Sequence, residues 1–267
     1  MPDAVDELRQ KVAISMRILG QHGLVKEITG HVSARIPDSS DMFVRCRGGD
    51  ERGLMYTDVQ QVRRLPFDVK GGGTADDGFM VPIEVAIHGE MYKARPEVGA
   101  VVHAHPRSAV MCGIMGLEFK PIFGAYNPGA MGIAAKGLPV YPRSVLISRP
   151  ELGQDLVKAM GQRDCCLMKG HGITAVGPTV ETATLLAMRL EELADMILEI
   201  ARLGMKPESI SDEDLASFGF GPSAPPRGNN IARGEEWTWA HYAKLVEDSV
   251  GIPTDFDRPD RGVGFRP

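Results

Sequence analysis

The amino-acid sequence predicts an α/β domain in which helices are layered on one central sheet. Apolar strand-like runs alternate with amphipathic helical runs up to about residue 205. The chain of 267 residues is long enough to bury a large core, and its 43% hydrophobic and 24% charged residues are typical of a globular protein.

The N-terminal part predicts a helix, a strand and a loop in that order. Apolar residues three and four positions apart predict a helix that ends near Gly20. Alternating residues at 28–36 predict a strand that stops at Pro37, and the glycine-rich residues 70–78 predict a loop.

A second helix and a short buried strand follow this loop. We expect the helix to begin after Pro82 and to carry Glu84 and His88 one turn apart. Pro96 ends it, and the apolar residues 99–106 then predict a strand with a sharp end.

The second half predicts one short helix start, two strands and the longest helix. Ser148 and Glu151 have the spacing of a capping box. Residues 165–176 read as two short strands with a break at His171 and its neighbours, and a helix over residues 180–203 has a continuous apolar stripe that indicates core packing.

The character of the chain changes after Gly204. Residues 206–267 form a predicted C-terminal extension that is rich in proline, glycine and serine before a last helix at about residues 235–248. The aromatic rings of this helix either pack on the core or a neighbouring subunit, or stack on a flat ligand; they are Trp237, Trp239 and Tyr242.

Charge and hydropathy exclude several classes of function. The formal net charge is −5 and no run of lysine or arginine occurs, so a nucleic-acid partner is not expected. The acidic N-terminus has no apolar signal region and no apolar run approaches the roughly 20 residues of a membrane span, so we expect a cytoplasmic protein.

Four cysteines without a C-x-x-C spacing are expected to be buried small hydrophobes: Cys46, Cys112, Cys165 and Cys166.

Three histidines are candidates for binding a metal ion. His103 and His105 are two residues apart at the end of a predicted strand, so both rings project from one face. Such a pair suits chelation of one ion, although two histidines hydrogen-bonded at a strand end remain an alternative. His171 lies between two glycines, which permit a tight backbone path to a ligand or a simple turn.

Glu84 is a candidate for acid/base chemistry. Its neighbours Pro82, Ile83, Val85 and Ala86 are all non-polar, so the carboxyl group lies in a run that reads as buried. A buried carboxyl group must be paired, bound to metal or protonated, and each of these states can serve proton transfer.

The chain resembles the class II aldolase/adducin family. The matching motifs are residues 30–35, Glu84-x-x-x-His88, residues 92–106 with His103-x-His105-Pro106, and residues 169–172 followed by the long helix. The resemblance implies a three-layer α/β/α catalytic domain over residues 1–205, with a mostly antiparallel sheet, assembled as a homotetramer. It also implies that His103, His105 and His171 hold a divalent metal and that Glu84 is the acid/base group and can reach that metal.

The sequence departs from the sugar-phosphate aldolases of this family at the phosphate cradle. Those enzymes have asparagine where this chain has His31, a Thr-Pro-Ser-Gly turn where it has Tyr56 and Thr57, and paired serines where it has Pro82 and Ile83. A phosphorylated sugar is therefore not the expected substrate.

The overall pattern is most similar to the decarboxylase branch of the family. That similarity implies a hydroxylated aromatic or pyridine dicarboxylate as the small-molecule substrate, with 3-hydroxy-2-methylpyridine-4,5-dicarboxylate of vitamin B6 degradation as the first candidate. It favours Mn²⁺ over Zn²⁺. An aldolase for a non-phosphorylated substrate and an adducin-like binding module without metal are the alternatives.

In a decarboxylase, Glu84 in its acid form would protonate the ring carbon that bears the leaving carboxylate. A second substrate carboxylate needs cationic or hydrogen-bond-donating partners. The candidates for contacting the substrate are His31, Ser33, Arg35, Tyr56, Thr57, Arg107, Arg143 and Lys169.

Overall fold

The computed structural model describes residues 4–49, 51–220 and 230–248. Its centre is one seven-stranded sheet in the order β3-β2-β1-β4-β7-β6-β5. All neighbours pair antiparallel except β5 and β6, so the expected mostly antiparallel sheet is confirmed. The strands are β1 His31–Arg35, β2 Asp41–Arg45, β3 Val62–Pro66, β4 Ala100–Ala104, β5 Val140–Tyr141, β6 Cys165–Met168 and β7 Gly172–Gly177.

Helices cover both faces of this sheet and give the three layers that were expected. One face packs against α1, α3 and α6, with α4 on α6, and the other packs against α2 and α5. The helices are α1 Ala4–Gln21, α2 Ala86–Ala94, α3 Arg107–Met115, α4 Pro128–Lys136, α5 Pro150–Met160, α6 Val180–Arg202, α7 Asp212–Ser217 and α8 Asn230–Asp248; 3₁₀ turns cover Leu54–Tyr56 and Val59–Gln61.

Strand alternation separates the two cores and decides where polar side chains go. In β4, Val102 and Ala104 join the core under α1 and α6, while Val101 joins the core under α2 and α5. His103 has the parity of Val101 and therefore faces the α2 side. His31 is the direct cross-strand partner of His103, so the two rings share that face.

The long helix forms as its sequence predicts. Thr179 is the N-cap of α6 and its hydroxyl oxygen accepts a hydrogen bond from the Thr182 N–H at 3.2 Å. The apolar stripe is buried at Leu190, Leu193 and Ile197. Gly204 follows the helix with φ +71°, a left-handed conformation that glycine adopts without strain.

Two local expectations about helix starts are wrong. Glu84 does not lie on the second helix, because α2 begins at Ala86 and Glu84 occupies the turn before it. The hydrogen bonds of that turn run from residue i to residue i−3, which is tighter than an α-helix. The capping box at Ser148 does not form either, since the N-cap of α5 is Arg149 without a side-chain hydrogen bond and Pro150 sets the first helical turn.

The described part of the C-terminal region packs on the main core. Helix α8 contacts α1 and α6, and Trp239 packs against the core on that face. The Tyr242 ring lies edge-on to His22 with 4.9 Å between ring centroids, and the Trp237 side chain is 66% exposed. None of the helices in the described ranges combines the length and apolar content that crossing a bilayer requires.

All four cysteines are free and buried, as expected from their spacing and neighbours. Burial raises the pKa of the Cys46, Cys112 and Cys166 thiols to about 12 and also raises the pKa of Cys165. A thiol must ionise to react as a nucleophile. We therefore expect the native protein to be almost unreactive towards Ellman's reagent at pH 8, with all four thiols titrating after unfolding in guanidinium; rapid modification of the native protein would contradict this burial.

Candidate metal centre

Four side chains from three parts of the fold converge on the α2 side of the sheet. Glu84 comes from the turn before α2, His103 from β4, His105 from the residue after the end of β4, and His171 from the turn between β6 and β7. One ligand atom from each lies within 4.8 Å of the others. The structure therefore brings together all four residues that the sequence nominates for the metal and the acid/base role.

The hydrogen bonds of His103 leave one of its nitrogens available to a cation. Its Nδ1 lies 3.0 Å from the backbone oxygen of Ile173, so Nδ1 carries the hydrogen and donates it. The lone pair on Nε2 then faces the cluster, where the Nε2 of His105 lies 3.0 Å away. Two nitrogens each about 2.1 Å from one ion lie about 3 Å apart, so this spacing fits shared coordination.

His171 supplies the strongest indication that a ligand belongs here. Both of its ring nitrogens are buried and neither has a hydrogen-bond partner among the described residues. A buried polar atom without a partner is costly, and such atoms in a native protein call for an ion, a water or a catalytic role. The donor set of three imidazoles and one carboxylate fits a divalent cation.

Glu84 is held in place on one oxygen and faces the histidines with the other. Its Oε1 accepts a hydrogen bond from the Ile147 N–H at 2.8 Å, and its Oε2 lies 3.5 Å from His103 Nε2 and 3.4 Å from His171 Nε2. Burial acts to raise the pKa of Glu84, but the two histidines outweigh it and lower the pKa. The carboxyl group is therefore ionised before a substrate binds, and a nearby cation acts in the same direction.

The turn that carries His171 depends on glycine for a close backbone approach. Gly170 has φ +62°, and the His171 N–H donates to the Met168 oxygen at 3.0 Å. A Cβ on Gly172 would lie 2.3 Å from the Ala104 oxygen and 2.6 Å from Cδ2 of His105. Gly172 thus lets β7 approach β4 closely enough for His105 and His171 to meet.

We expect Gly172→Ala to lower the free energy of unfolding by about 1–3 kcal/mol and to weaken metal binding, because the new methyl group must push β7 away from β4. Thermal or urea denaturation and metal titration of the purified variant measure the two effects. Gly49→Ala is the matched control, since a Cβ there meets no atom within 4 Å. Equal metal affinity in both variants would contradict the role assigned to Gly172.

The loop that carries His105 is anchored by α6 and by the residues after α1, which the sequence pattern did not predict. The His105 N–H donates to the Leu24 oxygen at 2.9 Å. The Glu191 carboxylate accepts from the N–H groups of Ser108 and Ala109, each at 2.9 Å, at the N-terminus of α3. A carboxyl group on a stripe that otherwise packs into the core was the available signal, but its partner is 83 residues away in the chain.

His88 is another buried histidine, and the sequence did not identify it as a functional candidate. His88 is completely buried on α2 and bridges His31 and Ser33, with both distances at 2.6 Å. Burial lowers the pKa of His88 to about 3 and lowers the pKa of His31 well below its usual value, with the neighbouring histidines contributing in the same direction. Its spacing of four residues from Glu84 was the signal in the sequence.

Three of the substrate candidates from sequence are occupied elsewhere. The Arg35 guanidinium donates to the backbone oxygens of Tyr92, Val98 and Arg95. The Thr57 side chain is fully buried and its hydroxyl donates to the Leu54 oxygen. Ser33 is also fully buried, and its hydroxyl forms hydrogen bonds with His88 and Tyr92.

His31 is buried beside His103, and the other remaining candidates lie at the surface. Tyr56 is 49% exposed and lines a separate cavity of about 380 Å³ beside α1. Arg107 and Lys169 are both exposed. Arg107 follows His105 by two residues, Lys169 precedes His171 by two residues, and neither forms a salt bridge with any residue that the structure describes. Arg143 pairs with Asp155 at 3.7 Å.

Known proteins with a similar sequence or fold are enzymes or members of one family. The 3,4-dihydroxyphthalate decarboxylase of Rhodococcus jostii strain RHA1 is 38% identical over 237 residues, covering 87% of this chain and 94% of its own length. The 3,4-dihydroxyphthalate decarboxylase of Arthrobacter keyseri is 38% identical over 212 residues, covering 79% of this chain and 85% of its own length. An aldolase II superfamily protein from Pseudomonas syringae has the same fold, with a TM-score of 0.74 and 19% identity. The alignment covers 94% of this chain and 96% of that protein. Residues 10–198 match the model of the Class II Aldolase and Adducin N-terminal domain, and the chain belongs to that family.

Proposed function

We propose that this protein is a divalent-metal-dependent carboxy-lyase that acts on a hydroxylated aromatic dicarboxylate. The observation that carries the proposal is the convergence of Glu84 with three imidazoles. One of them, His171, has two buried nitrogens that form no hydrogen bond with any residue that the structure describes. The 38% identity to two 3,4-dihydroxyphthalate decarboxylases supports decarboxylation as the reaction.

The two candidate substrates share one arrangement of groups. Both 3,4-dihydroxyphthalate and 3-hydroxy-2-methylpyridine-4,5-dicarboxylate carry a hydroxyl, a carboxylate and a second carboxylate on three consecutive ring atoms. We place 3,4-dihydroxyphthalate first because of the relatives, and the pyridine dicarboxylate second because it has the same three groups. The carboxylate next to the hydroxyl is the one that leaves, since only there can a ring ketone form beside it.

His103, His105 and His171 would hold the metal, and Glu84 can reach it. When bound, a divalent cation supplies Lewis-acid stabilisation of the negative charge that develops on a ring oxygen. The Nδ1–H of His103, fixed on the Ile173 oxygen, keeps the Nε2 lone pair directed into the centre throughout the reaction.

Glu84 carries the proton through the reaction. Because its pKa is lowered, it starts as a carboxylate and accepts the proton of the ring hydroxyl. It then delivers that proton to the ring carbon that bears the leaving carboxylate, which gives a β-keto acid. The carbon–carbon bond breaks, carbon dioxide leaves, and the electron pair returns to the ring and its oxygen, which takes a proton from water. The Ile147 N–H holds the carboxyl group in position for both transfers.

Two exposed positive side chains, close in sequence to the ligand histidines, complement the negative charge of a dicarboxylate. Arg107 follows His105 by two residues and Lys169 precedes His171 by two residues, and both are exposed. Their positive charges would attract a dianionic ring and raise its local concentration at the centre.

We propose Mn²⁺ as the native metal, with Zn²⁺ as the alternative, and a homotetramer as the assembly. Three imidazoles and a carboxylate accept either ion, so availability and affinity decide between them. Elemental analysis of the purified protein and light scattering after gel filtration measure these two properties.

The decisive experiment follows carbon dioxide release from both candidate dicarboxylates by metal-loaded protein. We expect release from at least one of them, with a product that has lost the carboxylate next to the hydroxyl. Aldol cleavage of a non-phosphorylated hydroxy compound without carbon dioxide release would favour the aldolase alternative. A protein that binds no divalent metal would favour the adducin-like alternative.

A further inference from the structure

A buried chain of hydrogen bonds leads away from the metal centre into the α2 side of the fold. His31 Nδ1 lies 2.6 Å from His88 Nε2, and His88 Nδ1 lies 2.6 Å from Ser33 Oγ. Ser33 Oγ in turn lies 2.7 Å from the Tyr92 hydroxyl. Exposure falls from 6% at His31 to 0% at His88 and Ser33 and 1% at Tyr92, so bulk water does not compete for these groups.

The direction of each hydrogen bond follows from the innermost group. Ser33 Oγ is the only acceptor for the Tyr92 hydroxyl hydrogen among the described residues, and a buried phenol hydrogen without an acceptor is unfavourable. Tyr92 therefore donates to Ser33, and the Ser33 hydroxyl donates to His88 Nδ1. A neutral imidazole carries one hydrogen, so that of His88 is on Nε2 and is donated to His31 Nδ1.

This direction leaves His31 with its hydrogen on Nε2. No described residue forms a hydrogen bond with that nitrogen, and the His31 ring lies against the His103 ring with 5.1 Å between centroids. His31 thus presents one N–H donor beside the metal ligands. An anionic oxygen of the substrate is the matching acceptor.

We propose that His88 is a positioning residue which fixes His31 as an Nε2–H donor to the carboxylate that stays on the substrate ring. This role rests on the proposed function, because only a dicarboxylate brings a second carboxylate into the centre. It also explains why a residue as polar as His88 is fully buried at a cost in desolvation.

Binding of phthalate and benzoate to the Mn²⁺-loaded protein tests the proposal. Neither compound has a ring hydroxyl, so neither can react, and they differ by one carboxylate. One hydrogen bond to a charged group corresponds to about 10- to 100-fold in affinity, so calorimetry on the wild type should show phthalate binding tighter than benzoate by that factor. A wild-type protein without this preference would overturn the proposal.

Two variants of His88 separate positioning from a merely structural effect. His88→Met fills the space without a donor and is expected to lose most of the preference for phthalate. His88→Gln offers an amide N–H to His31 Nδ1 and is expected to retain it. Bound manganese per chain should be unchanged in both, and a structural effect would weaken both ligands equally.

Ser33→Ala provides a second route if His88→Met does not fold. It leaves His88 Nδ1 without its donor, so both tautomers become accessible and the preference for phthalate should fall severalfold. An unchanged ratio of affinities in a folded, manganese-loaded His88→Met or Ser33→Ala protein would overturn the positioning role, even if the wild type releases carbon dioxide. Absence of carbon dioxide release by the wild type would instead overturn the proposed function.

Discussion

Replacing Glu84 with glutamine is expected to lower kcat by about 10²- to 10⁴-fold, the range for loss of a positioned general acid/base group. The amide oxygen can still accept from the Ile147 N–H, so the side chain keeps its anchor. It cannot take a proton from the ring hydroxyl and return it to carbon. The three histidines remain, so bound metal should persist. Initial rates of carbon dioxide release at saturating substrate and elemental analysis of the same samples measure both outcomes.

Glu90→Gln is the matched control for this substitution. Glu90 is also a buried glutamate, 6% exposed on α2, but its carboxylate pairs with Lys93 and Gln154 rather than with a histidine. Its replacement should leave kcat unchanged. If Glu84→Gln behaved like this control, the proton transfer would belong to another group.

The sequence predicts the ligands because their signals are local. His103 and His105 are two residues apart at the end of a predicted strand, and the alternation of side chains along a strand predicts that both rings lie on one side. His171 lies between glycines whose backbone freedom can be read directly from residue type. The core stripe of α6 and its Thr179 cap are local in the same sense.

The supporting groups could not be predicted in this way, because their partners are distant in the chain. His31 meets His88 across 57 residues, and Ser108 meets Glu191 across 83. Periodicity identifies the face of an element but not the side chain that it will meet. Arg35 shows the opposite problem. Its positive charge, close in sequence to His31, predicts a contact with the substrate, but its N–H groups donate to backbone oxygens of the protein instead.

Removal of the metal is expected to abolish decarboxylation and to lower the thermal stability of the protein. Dialysis against a chelator should reduce carbon dioxide release to background, and Mn²⁺ should restore it. A ligand that binds only the folded state at 100 times its dissociation constant contributes about 2.7 kcal/mol, which corresponds to a fall in Tm of about 5–10 °C for a chain of this size. In addition, the loss of a cation leaves both His171 nitrogens buried without a hydrogen bond to any described residue.

His103→Ala should reproduce the effect of chelation without a chelator. It removes the nitrogen that lies 3.0 Å from His105 Nε2 and 3.5 Å from Glu84 Oε2, so bound metal should fall well below one per chain and Mn²⁺ should no longer raise the Tm. His241→Ala removes an exposed histidine of α8 and should retain both metal and activity. Full activity in metal-free wild-type protein would contradict the proposed chemistry, because the electrons released by the breaking carbon–carbon bond would then need a different acceptor.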